Sequence, residues 1–180
     1  MQAPLKNTRI AILATDGFEQ SELERPLAAI RDAGGVPVVV SLDGGTIRGT
    51  SDDPIEVDLT VGEARAEDFA GLVLPGGLKN PDTLRMDKAS VGLIRAFAEK
   101  ERPIAAICHA PWLLIEAGLV SGRTLTSWPS LATDIENAGG TWVDEEVRVD
   151  GNLITSRNPD DLDAFCERFV EAMAGVGSAG

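Results

Sequence analysis

Four short apolar runs, at residues 9–14, 36–41, 71–75 and 103–107, are the feature that most restricts how this chain can fold. A strand with one wet face alternates apolar and polar residues, and these runs do not alternate. Their continuity predicts strands covered on both faces, the signature of a buried parallel sheet. The covering layers are also legible. Residues 21–33 have helical character and stop at Gly34-Gly35, a C-terminal cap. Residues 88–100 are helical, with Val91, Ile94, Arg95 and Ala98 assigned to one face. Further helices are expected over 110–117, ending at Gly118, over 131–137, ending at Gly139-Gly140, and over 159–174, with Leu162, Phe165, Phe169 and Met173 as its stripe. Short strands are expected at 55–59 and 124–127. Residues 146–149 and 153–156 flank Asp150-Gly151 as a hairpin. The predicted class is α/β, a mostly parallel sheet with helices on both faces. The whole chain, 1–180, reads as one domain with its core over 9–174 and a flexible tail over 175–180.

Composition narrows the function. The net charge of −13, from 29 acidic and 16 basic residues, repels a polyphosphate backbone and disfavours general nucleic-acid binding. No apolar stretch is long enough to span a bilayer, and residues 1–8 lack the apolar centre of a signal peptide, so a cytoplasmic location is expected. Two cysteines suit a reducing compartment. A single histidine and no Cys-x-x-Cys pair exclude multi-histidine zinc sites within one chain, and no metal or cofactor is expected.

In an open parallel sheet, sites form at the carboxyl ends of strands. Three loops leave such ends, at residues 15–22, 75–82 and 108–110, and could share a crevice. The third carries Cys108-His109, directly after an apolar run, with Ala106 and Ala110 two residues to either side. Small neighbours suit a nucleophile on a sharp strand-to-helix turn, and Pro111 suits the first helical position. Backbone amides and the helix dipole there favour an ionised sulfur. Glu19 and Glu22 in the first loop share one face of a helix turn. They suit a helix N-terminus, or a protonated carboxyl beside a thiol. Gly76-Gly77 suits a tight turn, or backbone donors to a developing oxyanion, with the His109 amide as a further donor. Side chains of neighbouring residues usually point apart, so His109 need not serve its own cysteine. Asp82 is a candidate partner for the imidazole. Cys166, beside Phe165 and Phe169, reads as a small core residue. The run from Asp43 to Gly49 reads as a turn, since it lacks a P-loop context. Trp128 could border the crevice.

Four ordered motifs make the chain resemble the PfpI-type intracellular peptidase family, in the superfamily of the Parkinsonism-associated deglycase and the class I glutamine amidotransferases. They are Gly17-Phe18-Glu19-Gln20-Ser21-Glu22 with Pro26, Leu74-Pro75-Gly76-Gly77, Ala106-Ile107-Cys108-His109-Ala110-Pro111, and Thr155 through Leu162. The resemblance implies a flavodoxin-like sandwich and Cys108 as nucleophile. It implies Glu22 hydrogen-bonded to the thiol with Glu19 close by, and main-chain donors from Gly76, Gly77 and His109. In the peptidase branch it also implies an acidic residue from a neighbouring subunit, here at the position of Asp82, and dimers that assemble into hexamers. The chain departs from the family in having Ala110 where glycine is usual and a 77–82 loop one residue longer.

The function this reading favours is a stress-response enzyme acting through Cys108 on small dicarbonyls such as methylglyoxal, or on glycated adducts, without a cofactor. Alternatives are a cysteine peptidase with Asp82 reaching His109 across a subunit interface, or a redox sensor working through Cys108 oxidation.

Overall fold

A computed structural model describes residues 3–177 of the chain. The elements in chain order begin with β1 (Arg9–Leu13), α1 (Gln20–Asp32), β2 (Val36–Ser41), β3 (Thr46–Arg48), β4 (Pro54–Glu56), β5 (Leu59–Thr60) and β6 (Gly71–Leu74). There follow α2 (Lys79–Leu84), α3 (Lys88–Glu99), β7 (Ile104–Ile107), α4 (Pro111–Glu116), β8 (Thr124–Leu125) and α5 (Ala132–Asn137). The chain closes with β9 (Thr141–Trp142), β10 (Arg148–Asp150), β11 (Leu153–Ser156) and α6 (Leu162–Gly177).

Seven strands form one sheet in the order β10-β11-β7-β6-β1-β2-β5. Every pairing is parallel except β10 with β11, whose antiparallel register follows from the Asp150-Gly151 turn. The apolar runs fill the centre: every residue of β6, β7 and β11 is buried, as expected of strands covered on both sides. The pleat divides their side chains between two cores. Ala11, Leu13, Leu72, Leu74, Ile104 and Ala106 pack with Phe97 of α3, Leu113 and Leu114 of α4 and Ile135 of α5. Ile10, Ile12, Val73, Ala105 and Ile107 pack with Leu23 and Ile30 of α1 and Phe165, Phe169 and Met173 of α6. The flavodoxin-like three-layer sandwich follows from that partition.

Several local expectations shift. The strand anticipated at 55–59 divides into β4, which pairs back on β3, and β5, which extends the main sheet. On α3 the buried residues are Ser90, Val91, Leu93, Ile94 and Phe97. Arg95 is exposed and instead donates to the Glu116 and Ala117 carbonyls that end α4. Residues 159–161 form a 3-10 turn ahead of α6. That helix continues through Gly177, so residues 175–177 belong to it rather than to a flexible tail, and residues 178–180 lie outside the described part. Among the described residues, no helix is long and apolar enough to cross a membrane, and no three His, Cys, Asp or Glu side chains group as metal ligands would.

Candidate active site

The carboxyl ends of β1, β6 and β7 bring the three loops together. Cys108, the first residue past β7, has φ +63, a left-handed conformation that costs an L-residue about 1–2 kcal/mol. Both its backbone groups are anchored. Its N–H donates to Ser156 O at 3.1 Å, and its C=O accepts from Trp128 N–H at 2.9 Å. Ala110 opens α4 at φ −59, ψ −29, ordinary helical geometry that alanine adopts without strain. Cys108 is 6% exposed and lies in the α1–α6 core cluster.

The bend turns the sulfur toward its neighbour. Sγ lies 3.1 Å from Nδ1 of His109, so these adjacent side chains meet rather than point apart. An extended backbone would have sent them to opposite sides. The left-handed residue removes that alternation. The imidazole is held by two indoles, stacked on Trp128 with ring centroids 5.6 Å apart and edge-on to Trp112 at 5.2 Å. Burial lowers its pKa below the ordinary histidine value.

Glu22, in the first turns of α1, is fully buried beside the sulfur. Its Oε1 accepts the Gly76 N–H at 3.0 Å, and Oε2 is buried without a conventional hydrogen-bond partner. The carboxyl also faces the Cys108 thiol as a side-chain hydrogen-bond neighbour. Burial, reinforced by the charge of Glu19 and opposed by the Gly76 N–H, pushes Glu22 up from 4.5 to about 8. Burial and the Glu22 charge push the thiol from 9.0 to about 12, although the Gly77 and His109 amides pull it down. Both shifts favour the proton-bearing forms, a thiol beside a neutral carboxylic acid. The local amides that the sequence led us to expect around the sulfur are present and favour its ionised form, while burial and the Glu22 charge oppose them.

The glycines work differently from one another. The Gly76 N–H is taken by Glu22, so it orients the carboxyl instead of facing an oxyanion. The Gly77 and His109 N–H groups act on the sulfur. A Cβ on Gly76 would stand 2.6 Å from both Glu22 Oε1 and Ile107 O and 2.7 Å from the Cys108 Cβ. Gly77 has φ +81, and a Cβ there would stand 2.5 Å from Gly17 O. Glu19 precedes α1, with Oε1 accepting from Ser21 Oγ and Oε2 from Thr50 Oγ1. Asp82 lies apart. Its side chain is 63% exposed and pairs with Arg85 at 3.7 Å, and within the chain it makes no ion pair with His109 among the described residues. Arg85 in turn stacks on Trp112, 5.0 Å from the ring centroid, so two side chains separate Asp82 from the imidazole. A cleft of about 400 Å³ beyond Trp112 is bounded by Arg85, Glu116 and Asp134.

Sequence reasoning missed Asn80. Its loop looked like an insertion, but α2 begins there and Asn80 is fully buried. Oδ1 accepts from Thr15 N–H at 2.8 Å, while Nδ2 donates to Pro75 O at 2.9 Å and Gly76 O at 3.0 Å. An asparagine three residues past a Gly-Gly turn was the available signal.

The chain is similar to known proteins. The DJ-1/PfpI family model matches residues 8–172. A deglycase of Thermococcus kodakarensis is 40% identical over 165 residues, 92% of this chain and 99% of the relative. A Bacillus subtilis protein provisionally named a cysteine protease is 39% identical, covering 87% of this chain and 93% of its own length. The crystal structure of Drosophila melanogaster DJ-1beta superposes with a TM-score of 0.87 at 33% identity, covering 94% of this chain and 91% of that one. With the family model matching across residues 8–172 and a relative 40% identical over nearly its whole length, the chain belongs to the DJ-1/PfpI family.

Proposed function

We propose that the protein is a cysteine-dependent enzyme of the deglycase or glyoxalase type, acting on small 1,2-dicarbonyls or their adducts. The observation that carries this reading is the fully buried Glu22 carboxyl against the Cys108 thiol, where burial favours its proton-bearing form. A carboxyl that changes protonation near pH 8 can both give and take a proton under working conditions. The 6% exposure of Cys108 favours a small carbonyl compound over a polypeptide. The deglycase name of the Thermococcus relative points the same way.

Sulfur attacks the aldehyde carbon of methylglyoxal and forms the S–C bond. The thiol proton passes to Nδ1 of His109, 3.1 Å away. Glu22 gives its proton to the former aldehyde oxygen, leaving a hemithioacetal and a carboxylate. That carboxylate removes the hydrogen on the sulfur-bearing carbon and returns it to the adjacent carbon. The hydroxyl proton moves to the neighbouring oxygen, and the product is a thioester of a 2-hydroxy acid. Water cleaves the thioester, its hydroxyl going to the acyl carbon and its proton to sulfur. Lactic acid leaves and gives its proton to solvent as lactate, and the proton on His109 passes to Glu22, restoring both groups. For a glycated amine or thiol, sulfur attacks the same carbon of the hemiaminal or hemithioacetal, the C–N or C–S bond breaks, and the amine or thiol leaves with the Glu22 proton while His109 takes the thiol proton, giving the same enzyme hemithioacetal.

A second reading, a cysteine peptidase, is favoured by the 3.1 Å contact between sulfur and imidazole. It needs an acidic group beside His109, which Asp82 of the same chain does not provide. A second copy would have to bring one, and a homodimer or larger assembly belongs to this reading.

The test is methylglyoxal consumption with lactate as product, followed in wild type, Cys108→Ala and Glu22→Gln. Both variants are expected to lose turnover by a factor of at least about 10². Turnover that survives Cys108→Ala, or none in the wild type, removes the glyoxalase reading. Peptide cleavage abolished by Cys108→Ala would favour the second reading.

A further inference from the structure

We propose that Asn80 is a positioning residue that locks the 75–77 turn, and so sets the proton-transfer geometry between Glu22 and Cys108. This deepens the proposed cysteine chemistry and rests on it. A buried amide with all three of its contacts to main chain is an unusual commitment for a helix of only six residues. Each contact has a clear target. The Thr15 N–H belongs to the loop after β1, which leads into α1 and Glu22. The Pro75 and Gly76 carbonyls belong to the loop after β6. Asn80 therefore ties together the backbones that present Glu22 and its hydrogen-bond donor. The peptide whose carbonyl Nδ2 holds at Gly76 also carries the Gly77 N–H, one of the two amides acting on the sulfur. The next peptide toward the N-terminus has its carbonyl, on Pro75, held by Nδ2 and its N–H, on Gly76, held by Glu22 Oε1. Both peptide planes that address the pair are thus held at their oxygen ends by one side chain, the Gly76 carbonyl also accepting a longer bond from the Glu19 N–H at 3.4 Å. No other side chain hydrogen-bonds either carbonyl among the described residues. Asn80 touches neither reacting group. Its effect passes through the two planes.

Aspartate is the informative replacement. It keeps the size and the acceptor for Thr15 N–H, but as a carboxylate it gives no donor to either carbonyl and repels both. Freed to rotate, the planes withdraw the Gly76 N–H from Glu22 and the Gly77 N–H from sulfur. The experiment uses the full chain in a Cys166→Ser background, so that only Cys108 reacts. The rate of alkylation by iodoacetamide is measured across pH 5–10 for the parent, Asn80→Asp, Asn80→Ala and the exposed control Thr83→Ala, alongside kcat and KM for methylglyoxal. The expected result for Asn80→Asp and Asn80→Ala is an alkylation profile displaced upward by about one pH unit, with kcat reduced about tenfold and KM little changed. Thr83→Ala should match the parent. Parent-like profiles in folded Asn80→Asp and Asn80→Ala overturn the proposal. Hydrogen exchange in the parent gives a readout that does not depend on how the variants fold. The Gly76 amide and the Asn80 side-chain protons should exchange at least about a hundredfold more slowly than exposed loop amides, and exchange at the exposed-loop rate overturns the proposal. If methylglyoxal is not a substrate, the proposed function fails while the alkylation and exchange arms still decide the role of Asn80.

Discussion

Sγ of Cys108 and Nδ1 of His109 stand 3.1 Å apart although the residues are consecutive, because the cysteine occupies a left-handed bend. In such a dyad an ion pair forms only if the imidazole accepts the proton in the resting state. Here burial works against charge on both partners, lowering the imidazole and raising the thiol. The dyad should rest as neutral thiol and neutral imidazole. Alkylation of Cys108 is therefore expected to climb with pH above 7, without the low-pH plateau of an ion-paired thiolate. A rate already constant by pH 6 would contradict the neutral dyad.

Glu22 also couples the site to stability. In the folded chain its carboxyl titrates at about 8, and in the unfolded chain near 4.5. Between those values the folded state keeps a proton that the unfolded state has lost. This group's contribution is thus greatest at the acid end of the window and falls as pH rises toward 8, by about 1.4 kcal/mol per pH unit. Glu22→Gln removes the titration. In urea unfolding at pH 5 and pH 8, the wild type should lose several kcal/mol more than the variant over this interval. Equal losses would show that Glu22 is not protonated in the native state.

These properties were unequally legible in the sequence. The central strands were readable because a two-sided sheet writes its burial into consecutive residues, as in Ile104 to Ile107. The elbow was readable from small residues crowding one cysteine. By contrast, α2 was hidden by Pro81 inside a short polar segment, and the partners of Asn80 lie as far as 65 residues away in the chain. The electrostatics were only half legible for a related reason. Adjacent amides can be foreseen from a turn, whereas desolvation depends on packing by α1 and the 75–77 loop. The meeting of Cys108 with His109 depends on a single backbone angle that no residue type announces.

Gly76 and Gly77 should fail differently when given a methyl group. At Gly76 the obstacles are the Glu22 carboxyl, the Ile107 carbonyl and the Cys108 Cβ, so Gly76→Ala pushes directly on the reacting pair. At Gly77 the obstacles are the main chain of Gly17, Phe18 and Glu19, and the positive φ adds strain. Gly76→Ala is expected to abolish alkylation at pH 8 and displace the Glu22 titration. Gly77→Ala should chiefly lower stability, by about 1–3 kcal/mol. Thermal melts combined with alkylation rates separate the two, and wild-type alkylation in Gly76→Ala would refute the crowding.

Arg157 and Asp161 brace the strand that holds the elbow from below. Asp161, 3% exposed, accepts from the Arg157 main-chain N–H, Nε and a terminal guanidinium nitrogen, each at 2.9 Å. Arg157 follows Ser156, whose carbonyl accepts the Cys108 N–H. Asp161→Asn keeps the shape but replaces one acceptor oxygen with a donor facing the guanidinium. Hydrogen bonds to charged groups are worth about 1.5–3 kcal/mol, so the variant should melt about 3–12 °C lower. Arg157→Lys loses the fork but keeps a charge and the main-chain bond, so its loss should be smaller. Because the brace acts through the backbone of residue 156, Asp161→Asn should also slow Cys108 alkylation at temperatures well below its melt. An unchanged rate there would confine the pair to stabilising the β11–α6 connection.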